Sequence, residues 1–380
     1  MAPLGQISID FYSTSLPTIA KYFNVSYNSI GIITTSFLMA YGIGQLLHGL
    51  LCDIVGRKRL LVITLPFYIV ATLYIPFCKT IALIAVMRLI QGFSIAAVSV
   101  TVKSIASDLF KAEKLVKAIS IITVVWGLSP ILAPLIGGVI QSFLGWKWCF
   151  YTLGIVSFFV YVNVLVFLPE TIETRNTLRL GSILNKYVLL FKNGAFMIHI
   201  THINLAILGL LTFILQTPYL IQGVYHFTPI ENGFLFLGVS FVYLIGTQQS
   251  SRLAKLKSAY FIPVFILVVA VIAYISNMFL GDDKFLFLLF TTIIMFVCGA
   301  MLPFNLSRCL QLFPNDSGLV SGFVGLVTLV TPGIIFSLLS IFGIGISQRF
   351  PFTMLFSSAI TVLLIFIFGG KTNLIGAKNG

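Results

Sequence analysis

Acidic side chains are scarce in this chain: ten Asp and Glu stand against 23 Lys and Arg in 380 residues, and charged residues of both signs make up only 9%. A soluble domain carries roughly 25% charged residues to clothe its surface, so the shortage excludes an ordinary water-facing fold. The five cysteines, Cys52, Cys78, Cys149, Cys298 and Cys309, have neither paired nor metal-ligand spacing, and the four histidines build no helical zinc motif. Neither a disulfide scaffold nor a metal site is expected, and the cysteines read as apolar packing residues. Enzyme chemistry is not expected either, because no nucleophile, base and orienting group share one region. The formal charge of +13 does not point to nucleic acid, since the basic residues do not cluster with stacking aromatics on a soluble fold.

What the chain has is apolar surface: 58% hydrophobic residues, 36 of them Phe, and a mean hydropathy of +1.07. Apolar runs bounded by charges, Pro or Gly repeatedly reach the roughly 20 residues that cross a hydrocarbon core as helix. They place spans near 2–21, 28–51, 60–78, 81–103, 117–142 and 148–168, then 194–222, 230–250, 259–280, 285–306, 317–342 and 350–370. The fold class is therefore an all-α membrane protein of 12 transmembrane helices in two six-helix halves. The start, from Met1 to Lys21, has no basic leader region or small-residue cleavage site and reads as the first span rather than a removable signal. Among the Lys and Arg, only Lys21, Lys79, Lys147, Lys284 and Arg349 lie on the side opposite the termini, and Arg88 lies within a span. Basic residues near helix ends favour the cytoplasm, so both termini are expected there. The longest polar interruption, Pro169 to Lys192, separates an N-terminal half (1–168) from a C-terminal half (194–380). Its Ile183, Leu184, Val188 and Leu189 have the spacing of an amphipathic surface helix within the linker 169–193. Paired six-helix halves are the layout of a repeat-built transporter, for which the expected partners are the lipid bilayer and a small organic substrate.

Four segments carry chemistry. Between spans two and three runs Gly49-Leu50-Leu51-Cys52-Asp53-Ile54-Val55-Gly56-Arg57-Lys58-Arg59. Gly49 suggests close helix approach, Gly56 a tight turn, and Asp53 an acceptor for arginine or a helix N-terminus. In span four, Arg88 shares a helix face with Gln91 and Ile95. A guanidinium there costs roughly 2.5–3.5 kcal/mol on insertion scales and needs carbonyls or a neighbouring carboxylate as partners. In span five, Ser129, Ala133, Pro134, Gly137 and Gly138 combine small-residue spacing for tight helix contact with helix-bending proline. Asp10 is the one acid deep in any span, sharing a face with Gln6, Ser13 and Pro17. Burial favours its neutral form and a nearby arginine its charged form, so an Asp10 beside Arg88 is suited to change protonation as access alternates. Tyr12, Tyr41, Gln45, Gln91, His202, Gln216 and Tyr219 are the candidate lining of a substrate cavity.

The Gly49–Arg59 segment resembles motif A of the major facilitator superfamily, a latch on the cytoplasmic side, with Ile54 where a basic residue is common. Arg88-Leu89-Ile90-Gln91-Gly92 resembles its motif B. Ser129–Gly138 is similar to the antiporter motif C, with Ser129 and Ala133 in place of glycines. The segments Ile9–Pro17, Leu168-Pro169-Glu170-Thr171 and Gly318–Gly325 narrow the resemblance to the Bcr/CflA drug-resistance group of drug:proton antiporters. That resemblance implies a proton-coupled exporter in a bacterial inner membrane, monomeric, with protons as coupling ion and no other cofactor. Asp10 and Arg88 are then the coupling pair, and Gly49, Asp53, Gly56, Arg57 and Lys58 the cytoplasmic gate. Two rival expectations stay open: an importer or dedicated exporter of one metabolite or siderophore, and a transport-inactive receptor or scaffold.

Overall fold

The computed structural model describes the chain apart from Ala2, Lys111 and residues 172–186, 254–260, 281–282, 314–316, 345 and 370–380. Some further side chains, Asp53 and Gln216 among them, also lie outside the described residues, as does most of the linker expected to hold the amphipathic helix. Every regular element among the described residues is helical. Lipid offers no water to satisfy backbone groups, and a helix satisfies them internally.

The first span is not the single helix expected over 2–21. It is α1 (Leu4–Asp10), a 3-10 turn over Ser13–Ser15, and α2 (Leu16–Tyr22). The break follows from local chemistry. Pro17, in the first turn of α2, has no N–H to continue the ladder, and the Ser13 hydroxyl donates to the Asp10 carbonyl at 2.7 Å. Thereafter come α3 (Tyr27–Val55), α4 (Arg57–Tyr74), α5 (Ile81–Leu109), α6 (Ala112–Leu144), α7 (Trp146–Phe167), α8 (Gly194–Gly223), α9 (Pro229–Leu253), α10 (Phe261–Leu280), α11 (Lys284–Leu312), α12 (Ser317–Ile341) and α13 (Ile346–Gly369). Among the described residues nine helices are long and apolar enough to span; α6 and α10 supply shorter apolar stretches, Leu128–Leu144 and Pro263–Ser276. With the broken first segment these occupy the twelve expected places.

Helix ends are closed by the residues the sequence puts there. Ser26 caps α3, Thr80 caps α5 and Asp283 caps α11. Thr228 and Glu231 form a reciprocal capping box at the start of α9: the Glu231 N–H donates to the Thr228 hydroxyl at 3.2 Å and the Thr228 N–H to the Glu231 carboxylate at 2.8 Å. Such boxes satisfy donors that the first helical turn leaves orphaned. The elbow joining α3 to α4 turns on Gly56 at φ +105°, a conformation that a side chain would strain.

Two compact units emerge from the packing. The first comprises Met1–Leu178 with Pro218–Leu237 and Ser321–Gly343. Within it α3 and α5 are pressed together at Gly92, where an added Cβ would collide with the Phe37 carbonyl, and at Gly44, against Phe93 and Ala96. The start of α9 is docked on α6, with Gly138 under the Pro229 carbonyl and Gly233 against Leu135. The second unit comprises Arg179–Thr217, Gly238–Val320 and Ile344–Gly380. There Gly246 and Gly299 bring the backbones of α9 and α11 into contact, and Gly209 lies against Cys298 and Met354. Small residues at helix contacts supply the packing that drives association in lipid, while large apolar side chains such as Phe143, Phe159 and Phe366 stay exposed, as expected of a surface that faces acyl chains.

Candidate functional site

The first unit encloses a polar network in an otherwise apolar bundle. Asp10 closes α1 and is wholly buried. Its two carboxylate oxygens each accept from Gln6 Nε2 at 3.2 Å, one turn earlier, and Oδ2 also accepts from the Ser129 hydroxyl of α6 at 3.3 Å. Arg88 of α5 is equally buried. Its Nη1 donates to Gln91 Oε1 at 2.8 Å, and both terminal nitrogens reach the Ser8 carbonyl at 3.3 and 3.4 Å. Gln91 Nε2 donates onward to the Thr72 hydroxyl at 2.6 Å. The guanidinium lies between two rings, Tyr12 at 4.2 Å and Phe37 at 4.1 Å from the guanidinium carbon. Cation–π contacts of this kind gain strength when desolvated.

The remaining hydroxyls extend the network. Ser8 Oγ pairs with the Tyr68 hydroxyl at 2.6 Å, Tyr12 with Thr34 at 3.3 Å, and Tyr41 with Ser99. Gly5 makes the last pairing possible, since a Cβ there would collide with the Tyr41 hydroxyl. Among the described residues no ion pair joins Asp10 to Arg88. Of the two partners that the sequence allows for Arg88, carbonyl or carboxylate, this arrangement takes the carbonyl, one helical face away from the acid.

The α3–α4 elbow is a second polar cluster. Arg57 Nε pairs with Asp108 Oδ2 of α5 at 2.9 Å, its Nη1 donates to the Cys52 carbonyl at 2.9 Å, and the Thr171 hydroxyl also donates to Asp108 Oδ2, at 2.8 Å. Glu170 caps α4 from outside the helix, its carboxylate accepting from the Arg57 N–H at 2.7 Å and the Arg59 N–H at 3.4 Å. Lys58 Nζ reaches the Leu165 carbonyl at 3.0 Å. Glu170→Ala is expected to cost about 1 kcal/mol through the lost cap, read as a lower melting temperature in detergent, with Glu170→Gln between it and wild type. A melt unchanged by Glu170→Ala would show that the cap carries no stability.

Gly49 needs a correction. Sequence spacing suggests that it permits close helix approach, but among the described residues a Cβ there would meet nothing within 4 Å. The close approaches on α3 and α5 fall instead at Gly44 and Gly92. The third motif does pack tightly: Ala133 is buried, and Gly137 lies against the Phe11 carbonyl at the break in the first span. The same stretch thus supplies Ser129 to Asp10 and seats the broken helix.

The structure brings Tyr12, Tyr41 and Gln91 of the predicted cavity set to the polar network. Gln45 is on α3 against Gly325, and Tyr219 is buried in the first unit. His202 belongs to the second unit, buried, with Nδ1 2.7 Å from the Ile198 carbonyl. Asp53 and Gln216 lie outside the described side chains. Sequence reasoning did not single out Phe37, Ser8, Tyr68, Thr72 or Asp108 for these roles. Only Asp108, an acid at the end of an apolar helix, carried a signal that could have marked it.

Apolar helices of spanning length, with ionisable groups buried inside the first unit, define a multi-pass membrane transporter. The Major Facilitator Superfamily profile matches residues 4–334, and the chain belongs to that family. It is similar to the bicyclomycin resistance protein homolog of Haemophilus influenzae, 29% identical over 239 residues, 62% of this chain and 60% of the relative. It is also similar to multidrug resistance protein D of Escherichia coli, 22% identical over 342 residues, 89% of this chain and 86% of the relative. Among solved structures it resembles a D-xylose-proton symporter, with a TM-score of 0.70 at 14% identity, covering 95% of both chains; at that identity the likeness concerns the fold.

Proposed function

We propose that this transporter exports small organic molecules in exchange for protons by alternating access. The carrying observation is Asp10, a wholly buried carboxylate that the described residues hold with the neutral donors Gln6 and Ser129 while Arg88 is turned to the Ser8 carbonyl. An ionisable group at membrane depth is costly, and it is retained for function by default. A carboxylate without a cationic partner can take either a proton or the polar end of a substrate, so each displaces the other. Protonation from outside then favours substrate release, and a downhill proton supplies roughly 2.3 kcal/mol per 100 mV before any pH contribution. The names of the relatives, bicyclomycin resistance and multidrug resistance, support a drug-like cargo and export. The elbow cluster around Arg57, Asp108 and Glu170 is the proposed cytoplasmic latch, and the excess of Lys and Arg on the side of the termini supports the reading that both termini lie in the cytoplasm of a bacterial inner membrane. No cofactor beyond the proton is required, and the proposed working unit is a monomer.

Proteoliposomes containing a pH-sensitive dye test the reading. Lipophilic cations, neutral antibiotics and candidate metabolites are added to wild type and to Asp10→Asn. Substrate-triggered proton movement in wild type alone supports exchange through this carboxylate; equal movement in both removes Asp10 from the mechanism.

A further inference from the structure

A buried arginine and a buried aspartate share the interior of the first unit without an ion pair among the described residues, and something must hold them apart. The Ser8 carbonyl that accepts from Arg88 is two residues from Asp10, so the carbonyl and the carboxylate sit at neighbouring levels of α1 but on different faces. A guanidinium released from that carbonyl would be free to turn towards the carboxylate and gain a charge-assisted contact. Three groups restrain it: the Gln91 side chain at 2.8 Å and the faces of Tyr12 and Phe37 on either side.

We propose that Phe37 is a positioning residue, its ring holding the Arg88 guanidinium on the Ser8 carbonyl and so keeping the Asp10 carboxylate open to a proton. This deepens the exchange reading and rests on it for its purpose, though not for its test. The placement begins with the backbone. Gly92 lets α5 lie directly on the Phe37 carbonyl, one turn from Arg88, which sets the Phe37 ring over the guanidinium. Phe37 is itself buried and packs on Tyr41 with ring centroids 5.5 Å apart, so it has no room to turn away. Among the described residues, the charged or titratable groups facing α1 from the packed helices are Tyr41 of α3, Tyr68 of α4 and Arg88 of α5, while α6 presents the neutral Ser129. Of these only Arg88 carries a positive charge, so its position governs how readily Asp10 holds a proton.

The test is an infrared titration of the Asp10 carboxyl in protein reconstituted into lipid, the band being assigned by its loss in Asp10→Asn. Phe37→Leu keeps apolar volume and removes the ring; Phe37→Tyr keeps the ring. Phe37→Tyr is expected to titrate like wild type. Phe37→Leu is expected to move the titration at least about one pH unit towards acid, since an arginine beside an aspartate stabilises its charged form by that order. In an Arg88→Gln background Phe37→Leu should have no further effect. The proposal is overturned if Phe37→Leu titrates like wild type, if its displacement survives in the Arg88→Gln background, or if the wild-type carboxyl does not titrate. Because the titration needs no substrate, a positive result with no proton-coupled flux would sink the exchange reading and leave the clamp standing.

Discussion

Asp10→Asn is expected to reduce substrate-driven proton movement to the background of empty liposomes while leaving the fold intact. Asparagine keeps the shape of aspartate and an oxygen that can accept from Gln6 or Ser129, so the two helices it joins lose little; a typical hydrogen bond contributes only about 1 kcal/mol net. What disappears is the titratable oxygen. Asp10→Glu retains the proton but adds a methylene where α1 meets α6, at a cost of about 1–3 kcal/mol, and should show reduced, still coupled flux. The two variants separate chemistry from packing: a melt like wild type with no flux for asparagine, a lower melt with partial flux for glutamate. Coupled flux at the wild-type level in Asp10→Asn would sink the assignment.

The second large effect is structural. Gly137→Ala adds one methyl group directly under the Phe11 carbonyl, and a backbone atom cannot rotate aside as a side chain would. Either α6 or the broken first span must shift, and overpacking of this kind costs about 1–3 kcal/mol and occasionally more. The natural control is Gly49→Ala, where the added carbon meets nothing within 4 Å among the described residues and the change should stay within about 0.5 kcal/mol. All five cysteines are buried and none forms a disulfide, so a thiol-reactive fluorogenic maleimide reports unfolding without an introduced probe. Gly137→Ala should melt several degrees below wild type, and Gly49→Ala at the wild-type temperature. Equal melts for the two would mean that the contact at Gly137 relaxes freely.

Much of this was legible before any coordinates. Twelve apolar stretches, the lone membrane acid at Asp10 and the membrane arginine at Arg88 are visible because lipid penalises charge so heavily that each exception stands out. The glycine turn at Gly56 was legible for a similar reason, since few residues other than glycine adopt a positive φ readily. Partners were not legible. Ser129 was read as a glycine substitute, yet its hydroxyl bonds Asp10 from 119 residues away in sequence. Phe37 is one of 36 phenylalanines, and no local pattern marks the one that lies on a guanidinium. Glu170 was visible as part of a recurring segment, but its action as a cap for α4, 113 residues from Arg57, depends on where the end of α7 falls.

The sequence by itself determined the solvent, the helical class and the residues whose burial must be compensated, because these follow from composition and periodicity summed along the chain. Only the tertiary structure decided which compensations are made among the described residues: that Arg88 takes the Ser8 carbonyl and two rings rather than Asp10, that the first span breaks where Gly137 seats Phe11, and that a Cβ on Gly49 would meet none of them while Gly92 does the close packing. Each of those outcomes turns on angstrom-scale differences between helix faces brought together from distant parts of the chain, a scale at which one-dimensional spacing carries no information.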